Sequence, residues 1–298
     1  MRVLVTGVCG QLGFDVMKEL KKRGHIGIGS DIQECSNTFS SYHMMDITDK
    51  DVVQKVLGEV KPDAVINCAA WTAVDKAEEC KNIVYRVNAL GPKYIAETCA
   101  LLNIPILQVS TDYVFDGKGD EPFEVDSPKG GLSTYGKTKS DGEDFVINAT
   151  SKYFIVRTTG VFGINGNNFI KTMLRLADMG KKDINVVNDQ IVSVTYTKDL
   201  AVLLVDMIET DKYGIYHAAN GGYFPWCEFA REIFLEAGKS VKVNEVTTEQ
   251  YKLMVPNQTD RPKNSRLSMK SLDKMGFNRL PDHLDALRRY LRENKQLR

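Results

Sequence analysis

A doubly wound α/β fold, with helices covering a parallel sheet and a smaller irregular α/β lobe at the C-terminal end, is the class this sequence predicts. Three observations carry it. Short apolar runs alternate with amphipathic stretches of ten or more residues up to about residue 160, the pattern of strand–helix–strand crossovers. A glycine-rich turn, Gly7-Val8-Cys9-Gly10-Gln11-Leu12-Gly13, joins the first apolar run to the first amphipathic one. Beyond residue 160 the alternation loosens, without a repeat, a low-complexity segment or a long linker. A chain of 298 residues is long enough to bury a core and to form two lobes on one sheet.

Taken in order, Arg2–Thr6 reads as a strand, and Gln11–Arg23 as a helix that sets Leu12, Val16 and Leu20 on one face. His25–Ser30 is a second strand ending in Asp31, and a third short one ends near Met45. Asp46-Ile47-Thr48-Asp49 supplies cap-type residues for the next helix. Asp63–Cys68, Ile104–Ser110 and Lys152–Arg157 are further strands, and Ile83–Leu102 is a long helix. Pro122–Leu132 is a loop that feeds a helix from about Ser133. Shorter elements fall around 166–179, 197–210, 225–237 and 281–295. The division expected is a dinucleotide-binding domain over 1–160 and, over 161–298, mainly a second lobe with some segments returning to the first sheet.

Acidic and basic side chains number 39 each, so no global field draws the chain to nucleic acid or to an anionic membrane. Arg288, Arg289, Arg292 and Arg298 read as the solvated face of a last helix. No apolar run approaches membrane-spanning length, and the N-terminus lacks the pattern of a signal peptide. Six scattered cysteines (9, 35, 68, 80, 99 and 227) contain no CxxC pair. They predict neither zinc nor disulfides, no metal site, and a reducing, cytoplasmic setting.

The glycine turn points to a dinucleotide. Glycines allow tight backbone geometry and close approach to a pyrophosphate, and the following helix N-terminus offers unpaired N–H groups. The spacing is GxxGxxG, and its position after the first strand is what the mechanism requires of a Rossmann-type fold. Asp31, 24 residues after Gly7, ends the second strand. A carboxylate there accepts hydrogen bonds from an adenosine ribose and repels a 2′-phosphate, which favours NADH over NADPH. Asp46 and Ile47 end the third strand and either flank the adenine or simply cap the next helix.

Tyr135 and Lys139 lie four apart on a predicted helix and so share a face. A tyrosine hydroxyl is a poor proton donor or acceptor near neutral pH until a cation favours its phenolate, and Lys139 can supply that charge. Upstream, a strand ends at Ser110-Thr111-Asp112, where a hydroxyl can bind a carbonyl oxygen beside Tyr135. Asp112 either hydrogen-bonds a substrate or caps the following turn.

These residues resemble the extended short-chain dehydrogenase/reductase superfamily and, more narrowly, the dTDP-4-dehydrorhamnose reductase family. The matching strings are Gly7–Gly13; Asn67-Cys68-Ala69-Ala70-Trp71-Thr72-Ala73-Val74-Asp75-Lys76-Ala77-Glu78; Val109-Ser110-Thr111-Asp112-Tyr113-Val114-Phe115-Asp116-Gly117; Tyr135-Gly136-Lys137-Thr138-Lys139; Asp189-Gln190; Tyr216-His217; and Arg261-Pro262-Lys263-Asn264-Ser265. The resemblance implies an enzyme in which Thr111, Tyr135 and Lys139 are catalytic. It implies cofactor contacts at Gly7, Gly10, Gln11, Leu12, Gly13, Asp31, Asp46, Ile47, Ala69, Ala70, Trp71, Tyr135 and Lys139. Thr111, Asp112 and Tyr135 would meet a nucleotide-sugar substrate, reduced at its 4-keto group; a homodimer is left open. Dehydratase relatives carry a glutamate base after the Thr-Asp pair, where this chain has Tyr113, which disfavours elimination. An epimerase of the same superfamily, or a regulatory subunit resembling the methionine adenosyltransferase β subunit, are the alternative readings.

The strings also differ from the family pattern. Gly160 stands where most of these reductases have a tryptophan against the sugar, and Val192 and Val194 replace a glycine and a proline. Pro225 precedes Trp226 where serine is common, and His283 replaces a tryptophan in the last helix. Trp226 reads as core and His283 as a partly buried helix residue. The altered positions leave the identity of the 4-keto sugar open.

Overall fold

Arg2–Thr6 presents Val3 and Val5 to one side and Leu4 to the other, all fully buried, so the strand must be covered on both faces. The computed structural model describes residues 1–35, 41–256 and 258–296 and places this strand inside a seven-stranded sheet. The sheet runs Gly214–His217, Tyr153–Thr158, Ile106–Thr111, Ala64–Asn67, Arg2–Thr6, Ile26–Asp31, Tyr42–Met44, with every pairing parallel. Helices Gln11–Lys22 and Thr197–Ile208 pack on the Val3 and Val5 face through Leu12, Val16, Leu20, Leu200 and Leu204. Lys50–Val60, Gly91–Leu102 and Thr134–Ala149 cover the Leu4 face through Val53, Leu57, Ile95, Ala96 and Val146.

Local chemistry sets the helix starts. Asp49 accepts the backbone N–H groups of Asp51 and Val52 (3.0 and 3.1 Å), and Ser133 accepts that of Gly136 (3.1 Å). Gln11–Lys22 begins without a side-chain cap. The helix expected over Ile83–Leu102 is interrupted by a π-helical turn, Arg86–Leu90, between Lys81–Tyr85 and Gly91–Leu102. That extra backbone residue is invisible to periodicity and turns Asn88 inward.

Residues after 160 build a second core around Phe162, Tyr196, Phe229, Ile233 and Tyr290, with short strands such as Asp183–Val187 on Lys242–Val246. Gly214–His217 returns to the edge of the main sheet, and Thr197–Ile208 returns to its face. On His283–Gln296, Arg288 and Arg292 are exposed, as on a solvated face, and Arg289 is partly buried. Arg289 forks onto Asp199 (2.7 and 2.7 Å) and Arg288 pairs with Glu236 (2.7 Å), while Arg298 lies outside the described residues. No helix among the described residues is long and apolar enough to cross a membrane.

His283 anchors the last helix, with Nδ1 at 2.8 Å from the Gly221 carbonyl and Nε2 at 3.1 Å from Glu232. Burial opposes its charge, but the Glu232 carboxylate and the Gly221 carbonyl outweigh it and leave the imidazole above its ordinary range. A raised folded-state pKa stabilises fully below the unfolded value and is lost as pH rises through the folded one. The stability difference between the natural chain and Glu232→Gln is therefore full below the ordinary imidazole value of about 6.5 and shrinks as pH rises above it; a pH-independent difference in thermal melts counts against a charged His283.

Candidate active site

The order in which strands are added to the sheet reverses between Arg2–Thr6 and Ala64–Asn67, and in such sheets ligands lie at the carboxyl ends of the strands beside that reversal. A cavity of about 950 Å³ opens there, lined from Gly7 and Asp31 at one end to Trp226 and Arg261 at the other. Its floor is fixed by a buried polar ladder across three strands. Thr6 donates to Asn67, Asn67 donates to Gln108 at 2.6 Å, and the Ala69 N–H donates back to Thr6 at 3.2 Å.

The glycine turn is bare where neighbouring backbone must come close. Gly7 has φ +68°, and a Cβ on it would stand 2.7 Å from Ala69 N. A Cβ on Gly13 would stand 2.4 Å from the Gly7 carbonyl oxygen. With the uncapped start at Gln11, this cradle fits the pyrophosphate of a dinucleotide. Asp31 lines the cavity, with Oδ2 accepting from Cys9 N (3.0 Å) and Oδ1 from Ile32 N (2.8 Å). Asp46 and Ile47 also line it; Asp46 accepts from Thr48 N (2.8 Å) in the turn before the next helix, whose cap is Asp49 rather than Asp46. Ala69 and Ala70 face the cavity. Trp71 is not among its lining: its indole donates to the Ala73 carbonyl (3.1 Å), and its backbone is held at both N–H and C=O by Asn88 (2.8 and 3.1 Å).

At the other end, Thr111, Asp112, Tyr113, Tyr135 and Lys139 converge on the same cavity. Ile106–Thr111 delivers the first of these, and Thr134–Ala149 the last two. Gly136 lets that helix approach, since a Cβ there would sit 2.2 Å from the Tyr113 carbonyl oxygen. Tyr113 packs edge-on against Tyr135 with ring centroids 5.5 Å apart. Burial pushes the Tyr135 hydroxyl well above the ordinary phenol range, against a hydrogen bond with Thr111 that lowers it. Lys139 is not among the groups that shift it; burial sets the direction, and Tyr135 holds its proton. Burial lowers Lys139 to about 8 against the charge of Glu143, and its ammonium donates to the Val109 carbonyl (2.6 Å).

Thr111 donates to Asp112 Oδ1 (3.1 Å) and accepts from Tyr113 N (3.2 Å). Asp112 is pushed up to about 6 by burial, moderated by the hydroxyls of Ser265, Thr111 and Thr159. Its Oδ2 has no partner at hydrogen-bonding geometry among the described residues. A buried unsatisfied oxygen in a cavity wall is a place for a ligand hydroxyl.

Arg261, Trp226 and Val192 line the cavity outside the expected set. Arg261, which lines the cavity, bonds Asp75 (2.9 Å); both residues stand in strings that carry the family resemblance, without a role assigned to either. Gln11 Oε1 accepts from Gly163 N (2.9 Å) and Asn168 Nδ2 (3.0 Å), tying the glycine turn to the second lobe. Trp226 packs on Phe169 (4.6 Å) as a core residue does, yet also lines the cavity. Val192 lines it too, while Val194 is fully buried behind Gly160 and His283 lies elsewhere.

The fold is the Rossmann type of extended short-chain dehydrogenase/reductase enzymes, and one cavity holds the glycine cradle together with a tyrosine, a lysine and a threonine. The model of the RmlD substrate binding domain family matches residues 1–296. The spore coat polysaccharide biosynthesis protein SpsK of Bacillus subtilis is 39% identical over 293 residues, covering 98% of this chain and 97% of that protein. A crystal structure of a dTDP-4-dehydrorhamnose reductase from Clostridium acetobutylicum superposes with a TM-score of 0.91 at 39% identity, covering 99% of this chain and 100% of that one. The dTDP-4-dehydrorhamnose reductase of Bacillus anthracis, solved in complex with NADP, gives 0.90 at 37% identity, covering 98% and 99%. The chain belongs to the dTDP-4-dehydrorhamnose reductase family of NAD(P)-dependent oxidoreductases.

Gly160 is held at φ +56°, and a Cβ would lie 2.6 Å from the Ser193 carbonyl oxygen. Gly160→Ala should lower unfolding stability by about 1–3 kcal/mol. A denaturant titration showing no loss would contradict this backbone strain.

Proposed function

We propose that this chain reduces the 4-keto group of a dTDP-linked deoxyhexose, either dTDP-4-dehydrorhamnose or a close variant altered near Gly160. The observation that carries the reading is the convergence of a protonated Tyr135, Thr111 and Lys139 on one cavity with the glycine cradle. Residues 1–160 serve mainly as the cofactor domain and 161–298 mainly as the substrate lobe. Gly7, Gly10, Gln11, Leu12 and Gly13 hold the pyrophosphate, Asp31 the ribose, Asp46 and Ile47 the adenine end, and Ala69 and Ala70 the inner wall. Trp71, its backbone held by Asn88, orders the chain just beyond Ala69 and Ala70.

A bound reduced nicotinamide supplies the hydride. The Tyr135 hydroxyl then gives its proton to the ketone oxygen as that oxygen gains charge, and a phenol kept protonated by burial suits this direction. Thr111 polarises the same oxygen once its hydroxyl turns from Asp112, and Lys139 stabilises the tyrosinate left behind. Asp112 receives a sugar hydroxyl on its unsatisfied oxygen. The residue after it, Tyr113, offers no base for dehydration. Asp31 biases the site toward NADH by like-charge repulsion of a 2′-phosphate, without excluding the NADP seen in the Bacillus anthracis relative. A cytoplasmic setting accords with six cysteines of which none forms a disulfide.

With dTDP-4-dehydrorhamnose as substrate, Tyr135→Phe should bind cofactor as the natural chain does yet lose about 100-fold or more in kcat. Unchanged NADH oxidation in that variant removes the assigned mechanism, and tightly copurifying cofactor with no net NADH consumption points to an epimerase. Asp31→Ser should raise the NADPH-to-NADH ratio of kcat/KM at least about tenfold, equivalent to roughly 1.4 kcal/mol. An unaltered ratio takes Asp31 out of cofactor choice.

A further inference from the structure

Tyr135, Lys139 and Glu143 follow one another at four-residue spacing and so line one face of helix Thr134–Ala149. Only the first two belong to the proton-transfer site. Glu143 is wholly buried, and so is Arg157 on the neighbouring strand Tyr153–Thr158. The guanidinium forks onto the carboxylate, with Nε at 2.9 Å from Oε1 and Nη2 at 2.8 Å from Oε2. The Ser110 hydroxyl, next to Thr111, donates to Oε1, and Lys129 Nζ stands 3.8 Å from Oε2. Arg157 is held in turn by the Val125 carbonyl (2.9 Å) and the Phe115 ring (5.0 Å).

A buried ion pair adds little net stability over an apolar pair of the same volume, so its stabilising effect alone is a weak account of this one. Its position suggests another. The groups around the Lys139 ammonium are the Val109 carbonyl, the Cys68 thiol and Glu143. Burial pushes Cys68 up to about 12, so the thiol stays neutral. His217, 3.4 Å from Arg157, is driven down to about 3 by burial and then by that guanidinium, so it is neutral too. Asp112 lies nearer Tyr135 and acts on it. Glu143 is left as the carboxylate opposing the desolvation of Lys139.

We propose that Glu143, clamped by Arg157, is a positioning residue whose buried carboxylate keeps Lys139 an ammonium beside Tyr135. This rests on the reading of Tyr135 and Lys139 as the proton-transfer pair. Glu143 touches neither substrate nor cofactor; it acts through Lys139, and Arg157 and Lys129 attenuate its charge.

The test is the pH dependence of kcat/KM for the full chain with NADH and dTDP-4-dehydrorhamnose. Its alkaline limb follows loss of the proton shared by Tyr135 and Lys139. Glu143→Gln should move that limb to lower pH by about one unit, and Arg157→Gln, which unmasks the carboxylate, should move it to higher pH. A purely structural pair would lower the amount of active enzyme in both variants without moving the limb in opposite directions. Glu143→Asp should restore the natural limb. Should the first two variants fail to fold, Lys129→Met at a partly exposed position decides: an upward displacement of a few tenths of a unit is expected, and none overturns the proposal. An unmoved limb in Glu143→Gln overturns it as well. Turnover surviving Tyr135→Phe would instead bring down the underlying reading; an inactive Tyr135→Phe with an unmoved limb brings down only the role of Glu143.

Discussion

The site depends on how closely the turn after Arg2–Thr6 can approach the turn after Ala64–Asn67. That approach is set by an atom that is missing: with a Cβ on Gly7, the backbone of Ala69 would have to move. The ladder Thr6–Asn67–Gln108 then pins the three strand ends together, and Thr111 and Asp112 emerge from the next strand end in line. Fixing these ends together places the cofactor cradle and the proton donor on one cavity. Asn88, turned inward by a π-helical turn, closes its wall from behind by holding Trp71. Pre-positioned groups of this kind need little reorganisation when charge develops on a substrate oxygen.

Burial dominates the electrostatics of that wall. It pushes Tyr135 and Asp112 toward their protonated forms and Lys139 toward its neutral one. For reduction the first effect helps and the last does not, because a neutral lysine cannot stabilise a tyrosinate. A second carboxylate one helical turn further along meets that conflict without entering the cavity. Direct pairing of Lys139 with a carboxylate inside the cavity would hold the lysine in place of a cofactor, whereas a carboxylate behind it supplies charge and leaves the cavity open.

Much of this was legible in the sequence because periodicity and punctuation agree with the fold. Every main-sheet strand before residue 160 falls within two residues of its reading, since Val-, Ile- and Leu-rich runs bounded by cap residues have few other solutions. Gly7, Asp31, Thr111, Tyr135 and Lys139 meet in one cavity because the order of parallel crossovers brings successive strand ends together. What stayed hidden depends on tertiary contact. Trp71 turns away because of Asn88, whose orientation follows from a backbone bulge that no side-chain period records. Arg261 and Asp75 meet although 186 residues separate them. The protonation of Tyr135 follows from burial rather than from the lysine four residues on, and burial is not a local property.

Gly160 has a consequence for any attempt to redesign the sugar pocket. Its left-handed backbone and the Ser193 carbonyl 2.6 Å from where a Cβ would be leave no room for a single substitution. Restoring a large aromatic wall there first requires the Ser193–Val194 segment to shift. The two segments are therefore mutationally coupled: the order of changes matters, and a library that varies position 160 alone samples destabilised chains. Tailoring the pocket for another sugar starts at 193 and 194, with 160 following.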